Sequence, residues 1–435
     1  MNMNCAGFGC QGDVRMPNEE PAMRNISRRK FIQAASGLAL GTGILSGCQE
    51  TMPFPDSRVM VATPESRAEY LRVLLDEICA LGPHPIGSPE YDRAARIVRR
   101  EMERAMPEVF LDTFRFERWR LTAEPGFYLG DRQIETCPSH GSRGTGPEGV
   151  RGVLRRIDDP GGLKYAIVDP GTDSRLAFIS LSRYGRAVPL PFYSFEQEIK
   201  CPPIFNIGLQ DVPLLEEAVR RSTPVRAVAR VEFTPQTPTA NVVGSLPGQN
   251  REEVVFLAHL DTVYNSPGAN DNTATVIAML MIAHAFSGAR NGKTITFVAT
   301  TGEEYDKLGA INYARRRRDE GTFENIRFLI NLDSVTWGPD LKIHTADDDL
   351  LRMILSIDRR AGIPGSPRWD GRDGFMLDAR PFRDEAVQAV YVNSEGYNLS
   401  HLWHRPEDLP GTVPVDCVEN WFRLFKEYTT RLMVL

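Results

Sequence analysis

Cysteine is scarce in this chain of 435 residues, and its cysteines are widely scattered. None of them shows CxxC spacing, which excludes a zinc finger and a dense disulfide framework. One or two disulfides remain an open alternative in an extracytoplasmic setting. The seven cysteines are Cys5, Cys10, Cys48, Cys79, Cys137, Cys201 and Cys417.

An excess of positive charge is also missing. The formal net charge is −6 and no basic stripe runs through the body of the chain, so we expect no nucleic-acid partner. The one basic run, Arg315 to Arg318, is interpreted as the solvated end of a helix, with a substrate-binding role as the alternative. With 42% hydrophobic and 25% charged residues, the composition is that of a globular chain of two or three domains.

The first 48 residues have the pattern of a targeting segment. Ser27 to Gln33 resembles a twin-arginine export signal, and the apolar run from Phe31 to Leu45 is too short and too rich in Gly and Ser to span a bilayer. Leu45 to Cys48 resembles a lipoprotein processing box, and an ordinary cleaved signal with an incidental cysteine is the alternative. We therefore expect an extracytoplasmic protein, on the periplasmic side or at the cell surface, that is anchored to the membrane by lipid on Cys48.

One stretch, residues 254–273, places three candidate metal ligands directly after an apolar strand. Val254 to Ala258 is a continuous apolar run that predicts a strand buried on both faces. His259 and Asp261 follow at its end, on the same side of the sheet, because they are two residues apart. Asp271 precedes the apolar run Val276 to Phe286, which predicts a helix. The alternative interpretation of Asp271 and its neighbours is a helix cap in a solvated loop.

Three further strands end in side chains of the same kinds. Thr294 to Thr300 precedes Glu303 and Glu304, Ile326 to Leu332 precedes Asp333, and Val387 to Val392 precedes a loop with His401 and His404. Strands that alternate with helical segments predict an α/β fold with a mixed, mostly parallel central sheet flanked by helices. Ligands of open α/β sheets bind beyond the carboxyl ends of the strands, so these side chains are expected to form one site.

The residues before 241 differ in composition and in predicted secondary structure from those that follow. Residues 49–106 predict amphipathic helices that belong to the catalytic part, and His84, in the loop between them, is interpreted as solvated or hydrogen-bonded. Residues 107–240 are rich in Pro, Gly and short β-like runs, and predict an inserted β-rich domain that loosely resembles a protease-associated domain near residues 202–208. The predicted order is a signal segment (1–48), the helical part (49–106), the insert (107–240) and the catalytic domain (241–435).

As an ordered set, the motifs between residues 241 and 410 resemble those of the di-zinc aminopeptidases, peptidase family M28, which include bacterial leucyl aminopeptidases and glutamate carboxypeptidase. The matching motifs are His259-Leu260-Asp261, Gly268-Ala269-Asn270-Asp271-Asn272, Thr301-Gly302-Glu303-Glu304, Asn331-Leu332-Asp333 and Trp403-His404-Arg405-Pro406-Glu407-Asp408. Trp403 and Arg405 stand where this family usually has Tyr and Thr beside the His, so we expect an altered substrate pocket. The resemblance implies the zinc-exopeptidase, phosphorylase/hydrolase-like form of the α/β fold.

The resemblance also implies a role for each residue. The implied metal ligands are His259 and Asp333 for one ion, Glu304 and His404 for the other, and Asp271 as the bridge between them. It further implies that Glu303 is the general base and that Asp261 orients the imidazole of His259. His401 is the alternative to His404 as the last ligand.

Two Zn²⁺ ions are the implied cofactors, with cobalt or manganese as alternatives. Two divalent cations roughly 3.5 Å apart repel each other, and three carboxylates with a shared hydroxide would neutralise them. The expected function is that of an exported aminopeptidase that hydrolyses N-terminal peptide bonds of a peptide substrate through this hydroxide. The alternatives are a carboxypeptidase or dipeptidase of the same family, a glutaminyl-cyclase-like acyltransferase with one zinc, and a receptor-like module without catalysis. The complete ligand set argues against the last two.

Overall fold

The computed structural model describes residues 57–157, 163–191, 202–361, 367–384, 386–394, 396 and 399–435. The twin-arginine and lipoprotein patterns, at residues 27–33 and 45–48, lie outside the described residues. Among the described helices, none combines the length and the apolar character needed to cross a membrane. Cys79, Cys137 and Cys417 are buried free thiols, so no disulfide joins these described cysteines.

Helices and strands are numbered separately along the chain. The α-helices of the described residues are α1 (Pro64–Cys79), α2 (Pro89–Ala105), α3 (Val212–Arg221), α4 (Ala274–Phe286), α5 (Leu308–Asp319), α6 (Asp348–Ala361), α7 (Leu399–Leu402) and α8 (Val415–Leu432). The strands of the same part are β1 (Glu108–Leu121), β2 (Gly126–Leu129), β3 (Arg132–Ile134), β4 (Cys137–Pro138), β5 (Val150–Arg156), β6 (Tyr165–Val168), β7 (Arg175–Leu181), β8 (Ile204–Ile207), β9 (Pro224–Val228), β10 (Val231–Leu246), β11 (Glu253–His259), β12 (Thr294–Thr300), β13 (Ile326–Leu332), β14 (Leu341–His344), β15 (Arg368–Gly371) and β16 (Gln388–Ser394).

Eight strands form the main sheet, in the order β1-β10-β12-β11-β13-β16-β14-β15. Its centre, β12-β11-β13-β16, is parallel. On either side of this centre, β10 and β14 run antiparallel to the neighbouring strand. The four central strands are those predicted from their apolar runs, and the mixed sheet flanked by helices is confirmed. Because these strands are parallel, their carboxyl ends meet at one edge of the sheet.

Strand β11 is buried on both faces, as its apolar run predicts. Val254, Phe256 and Ala258 pack into a core shared with α1, α2, α4 and α8. Val255 and Leu257 point to the other face, where they pack against α5 and the 377–382 segment. This alternation is the two-residue period of a strand between two helical layers. The residue at the end of β11 is therefore held by close-packed core on both sides.

A second eight-stranded sheet has the order β3-β2-β9-β5-β6-β7-β8-β4. Its core contains Phe127, Ile167 and Phe205, and α3 covers it with Leu215 and Ala218. The stretch predicted as an insert, 107–240, contributes to both sheets. Residues 126–228 hold the second sheet, whereas β1 and β10 pair antiparallel at the edge of the main sheet.

The basic run at the end of α5 is not simply solvated, which corrects the interpretation of Arg315 to Arg318. Arg317 is buried, and its guanidinium donates two hydrogen bonds to the Glu253 carboxylate, at 2.7 and 3.0 Å. It also donates to the Tyr313 hydroxyl at 2.9 Å. Arg317 therefore ties α5 to the start of β11, a contact that local sequence does not reveal.

His84 is hydrogen-bonded but not solvated. Its side chain is buried, and its Nδ1 lies 2.8 Å from the Gly82 carbonyl oxygen. Burial lowers the pKa of His84 to about 4. Its backbone N–H donates to Thr262 Oγ1 at 2.9 Å, which fixes the α1–α2 loop beside the end of β11.

Candidate active site

The predicted ligands lie together at the carboxyl edge of the main sheet. His259 ends β11, Asp333 follows β13, Glu304 follows β12, His404 follows α7, and Asp271 lies in the 269–273 turn before α4. Each is buried or nearly so. The site is thus supported by the ends of rigid elements and by short turns.

Two glycines shape these turns. Gly302 has a φ of 73°, and a Cβ at this position would lie 2.6 Å from Ile86 Cδ1. Gly268 has a φ of 64°, and a Cβ there would lie 2.4 Å from the Asp271 carbonyl oxygen. Only glycine combines this left-handed backbone with so little space, so both positions are needed to place the acidic residues that follow.

The five side chains form two groups that share Asp271. In the first group, His259 Nε2 lies 3.3 Å from Asp271 Oδ1 and 3.5 Å from Asp333 Oδ1. In the second group, His404 Nε2 lies 3.6 Å from Asp271 Oδ2 and 3.1 Å from Glu304 Oε1. The two oxygens of Asp271 therefore face different groups, which is the arrangement of a carboxylate that bridges two cations.

The spacings within each group fit a divalent cation. Zinc binds His nitrogen and carboxylate oxygen at about 2.0–2.2 Å, so two ligand atoms of one tetrahedral zinc lie about 3.3 Å apart. The ligand atoms of each group all lie within 4.8 Å of one another, and buried carboxylates at such a separation repel one another unless positive charge lies between them. One imidazole and two carboxylates per group are a donor set that suits zinc.

The charge of these carboxylates also acts on both imidazoles. Burial alone would lower the pKa of His259 and His404, but the neighbouring carboxylates outweigh it. The pKa of His404 is raised to about 9, and that of His259 is raised well above its ordinary value. A metal ion binds the neutral imidazole, so a cation entering either group must displace a proton.

Asp271 is held in place by two residues that sequence reasoning missed. The buried Asp408 carboxylate accepts from the backbone N–H groups of Asn270, at 3.0 and 3.1 Å, and of Asp271, at 3.1 Å. Ser334 Oγ lies 3.0 Å from both Asp271 Oδ1 and Asp333 Oδ1, to which it donates. Ser334 follows Asp333 directly and Asp408 ends the last motif, but no local pattern shows a contact across 137 residues. None of residues 270–272 caps α4, whose N-cap is Thr273.

The imidazole of His259 is oriented by a main-chain carbonyl and not, as predicted, by the Asp261 side chain. His259 Nδ1 donates to the Asp261 backbone oxygen at 3.0 Å, whereas Asp261 Oδ1 is 4.0 Å away from the same nitrogen. The Asp261 carboxylate instead accepts from the Glu303 backbone N–H at 3.2 Å. Burial raises the pKa of Asp261 to about 7. Asp261 therefore fixes the main chain that carries Glu303.

The adjacent glutamates differ in their surroundings. Glu304 belongs to the second ligand group, whereas Glu303 belongs to neither group among the described residues. Burial raises the pKa of Glu303 well above its ordinary value; Glu304 and Asp333 raise it further, and Lys307 opposes them. A carboxylate with a raised pKa beside a ligand cluster has the properties of a general base.

Of the two histidines after β16, the structure brings only His404 into the ligand groups, and His401 is exposed. His404 Nδ1 donates to the Pro189 carbonyl oxygen at 2.7 Å, which leaves Nε2 free to face Asp271 and Glu304. Trp403 stacks on the His404 ring with a centroid distance of 3.9 Å, and Tyr184 meets Trp403 edge-on at 5.7 Å.

Comparison with known proteins gives a family match for the part of the chain that forms this site. Residues 241–429 match the sequence model described as peptidase family M28. Aminopeptidase YwaD of Bacillus subtilis (strain 168) is 25% identical over 215 residues, which are 47% of this chain and 46% of that protein. The alkaline phosphatase isozyme conversion protein of Escherichia coli (strain K12) is 27% identical over 189 residues, which are 37% of this chain and 54% of that protein. The chain thus spans about half the length of these curated relatives.

Solved structures resemble the chain over a longer stretch. BSAP, a zinc aminopeptidase from Bacillus subtilis, has a TM-score of 0.65 at 18% identity, covering 84% of this chain and 95% of that chain. The aminopeptidase from Aneurinibacillus sp. strain AM-1 has a TM-score of 0.66 at 15% identity, covering 87% of this chain and 96% of that chain. At these identities the likeness concerns the fold. Residues 241–429, which carry the site, are therefore similar in sequence to peptidase family M28.

Proposed function

We propose that this protein is a zinc-dependent exopeptidase of the aminopeptidase type that uses two zinc ions. The observation that carries the proposal is the two-sided placement of Asp271, whose Oδ1 and Oδ2 face separate groups, each with an imidazole and another carboxylate. His259, Asp271 and Asp333 would hold one ion, and Asp271, Glu304 and His404 the other. The match of residues 241–429 to peptidase family M28 supports hydrolysis of peptide bonds, and the names of YwaD and BSAP support the choice of the N-terminal bond.

Glu303 moves the proton in this mechanism. The chemistry that zinc supplies when bound is polarisation of the peptide carbonyl and a lower pKa for the attacking water. Glu303 accepts a proton from the water as its oxygen adds to the carbonyl carbon, and delivers it to the leaving nitrogen as the C–N bond breaks. The raised pKa of Glu303 suits both transfers, and Asp261 fixes its main chain. Such acid–base assistance typically contributes about 10²–10⁴-fold.

A substrate panel tests the proposal. Aminoacyl-p-nitroanilides and peptides with a free N-terminus should be hydrolysed, whereas N-acetylated copies of the same peptides should not. Activity should disappear after chelation and return with added zinc, and elemental analysis of the active protein should give two zinc ions per chain. Turnover of N-acetylated peptides from their C-terminus would instead favour a carboxypeptidase, and activity that survives chelation would contradict metal dependence.

We also propose that the protein is exported and anchored to the membrane by lipid on Cys48. The support is the order of patterns in the sequence, a twin-arginine signal at 27–33 followed by an apolar run and the lipoprotein box at 45–48. Twin-arginine export carries folded proteins, which suits an enzyme that acquires its metal before it leaves the cytoplasm.

A further inference from the structure

Residues 186–191, named here the covering segment, connect the second-sheet region to the metal site. Its Pro189 carbonyl accepts the hydrogen bond from His404 Nδ1 at 2.7 Å. This contact sets the tautomer that leaves Nε2 free to bind a cation. His404 has a φ of 57°, in the left-handed region that is uncommon for residues other than glycine. The covering segment is therefore part of what positions this ligand.

The covering segment is itself held by Arg405 and Glu135. Arg405 is buried, and its Nη1 donates to the Ala187 carbonyl oxygen at 3.3 Å. Glu135, in the second-sheet region, accepts from the Ala187 backbone N–H at 3.2 Å and from Arg405 Nη2 at 3.5 Å. Both main-chain polar groups of Ala187 are thus fixed two residues before Pro189. The arrangement links the residue after His404 to the carbonyl that orients His404.

A second contact from the same region reaches Glu304. The Glu304 main chain hydrogen-bonds the buried His140 imidazole. The His140 ring packs on Tyr305 with a centroid distance of 4.3 Å, and its backbone N–H donates to the Leu190 carbonyl in the covering segment at 3.2 Å. Glu304 and His404, the two ligands specific to the second group, both touch this region.

The first group is supported differently. The Asp261 carbonyl orients His259, and Ser334 donates to the carboxylates of Asp271 and Asp333. All of these residues follow strands of the main sheet or precede α4. The two ligand groups therefore share Asp271 but differ in the sheet that supports their other ligands.

We propose that the second-sheet region tunes the affinity of one metal site only, the Asp271–Glu304–His404 group, with Arg405 and Glu135 as positioning residues. This rests on the two-metal function proposed above. Losing an outer partner of a ligating His typically weakens metal affinity about 10–100-fold. Arg405 acts through Ala187 and Pro189, so its loss is expected at the lower end of that range.

Cobalt titration of the full-length chain tests the proposal without any reliance on activity. Visible absorption of Co²⁺ follows the occupancy of each site, and the His259→Ala and His404→Ala proteins assign the absorption bands to the first and second group.

In Arg405→Met, which loses the donor to Ala187, we expect second-site affinity to fall about tenfold. First-site affinity should stay within about twofold of the wild type. Arg405→Lys keeps a positively charged donor at this position and should recover most of the loss. Arg156→Met, which removes an exposed guanidinium paired with Glu216 in the second sheet, is the matched control and should change neither site.

Equal weakening at both sites, or unchanged second-site affinity, overturns the proposal. Thermal unfolding of the metal-free proteins identifies any variant that has merely lost stability. If Arg405→Met has lost stability, Glu135→Ala, at a partly exposed position, must show the same selective loss of second-site affinity. Second-site affinity equal to that of the wild type in Glu135→Ala also overturns the proposal. A wild-type chain that binds two Co²⁺ ions but cleaves no peptide contradicts the proposed function and not this inference, whereas a chain that binds one ion contradicts both.

Discussion

Among the individual residues, neighbouring Glu303 and Glu304 are expected to do different things. Glu303→Gln should leave the metal content and KM close to wild type while kcat falls about 10²–10⁴-fold, because the amide cannot accept the proton. Glu304→Gln should instead weaken metal binding at the second group. Elemental analysis and steady-state kinetics of the two purified proteins decide the matter. A Glu303→Gln protein without metal, or one with near-full turnover, would show that the roles are wrongly assigned.

The histidine ligands predict a pH dependence of metal affinity. In the metal-free site the pKa of His404 is about 9 and that of His259 is also raised, so at neutral pH each imidazole holds a proton that the cation must displace. Zinc affinity should therefore rise from pH 6 towards pH 9 and level off above the pKa of His404. Calorimetry in buffers of different ionisation enthalpy should detect a net release of protons on zinc binding at pH 7. His404→Ala should release about one proton fewer. Affinity that does not change between pH 6 and pH 9 would contradict this reasoning.

At the scale of elements, the 269–273 turn serves both metal groups through Asp271, and Asp408 holds that turn. Asp408→Asn replaces an acceptor of backbone N–H groups with an amide that has half the acceptor capacity. We expect metal affinity to fall at both sites, by about 10–100-fold, in contrast to the one-sided effect expected for Arg405→Met. Asp349→Asn, on an exposed turn of α6, is the control and should bind metal normally. A selective loss at one site in Asp408→Asn would show that the turn does not act on Asp271 as a unit.

The elements that sequence reasoning predicted are those whose signal is local. Thr294 to Thr300 and Ile326 to Leu332 are strands with the predicted bounds, because a short apolar run between charged or turn residues is typical of a strand buried on both faces. The candidate side chains followed from the same logic, since His259, Asp333 and Glu304 stand at or shortly after the ends of such runs, whereas the family resemblance implied which of them are ligands. Parallel strands bring their ends to one edge, so the order of motifs was enough to predict which side chains would meet.

The parts that could not be predicted depend on long-range contacts. Nothing near Pro189 indicates that its carbonyl orients His404, 215 residues away. The basic run at Arg317 has the pattern of a solvated helix end, yet its guanidinium is buried against Glu253. Asp261 was expected to orient His259 with its side chain, but its backbone does so, because the carboxylate pairs with the Glu303 N–H. A pattern gives the residue type and the spacing, whereas the polar group that makes the contact depends on how the turns pack.

At the scale of the whole molecule, both sheets contribute residues that position the side chains of the candidate metal site. Segments that end or follow strands of the main sheet supply every side chain in both groups. The second-sheet region supplies the Pro189 carbonyl and the His140 imidazole, which contact His404 and Glu304 from outside. It also supplies the Glu135 carboxylate, which holds the covering segment. A contact of this kind couples the placement of residues 126–228 to metal binding. We therefore expect the second sheet to be needed for full metal occupancy.

The proposed localisation of the whole protein is tested at Cys48. Acylation of this residue would anchor the exported chain, because each buried methylene of a lipid chain adds about 0.8 kcal/mol and two signals or chains are needed for stable attachment. In a bacterial host with both export pathways, Cys48→Ser should move the protein from the membrane fraction to the soluble extracytoplasmic fraction. Its metal-dependent activity should be retained.

Two further proteins separate anchoring from export. Cys10→Ser, upstream of the proposed signal, is the matched control and should stay in the membrane fraction, because processing at Cys48 would remove that cysteine. Replacing both Arg28 and Arg29 by Lys should instead keep the chain in the cytoplasm, since the twin-arginine pair is what the export pathway reads. Cell fractionation measures export, and incorporation of radiolabelled palmitate measures lipid attachment. A Cys48→Ser protein that stays at the membrane and still incorporates the label would place the lipid on another residue. Export that persists without the arginine pair would require a different signal in the same segment.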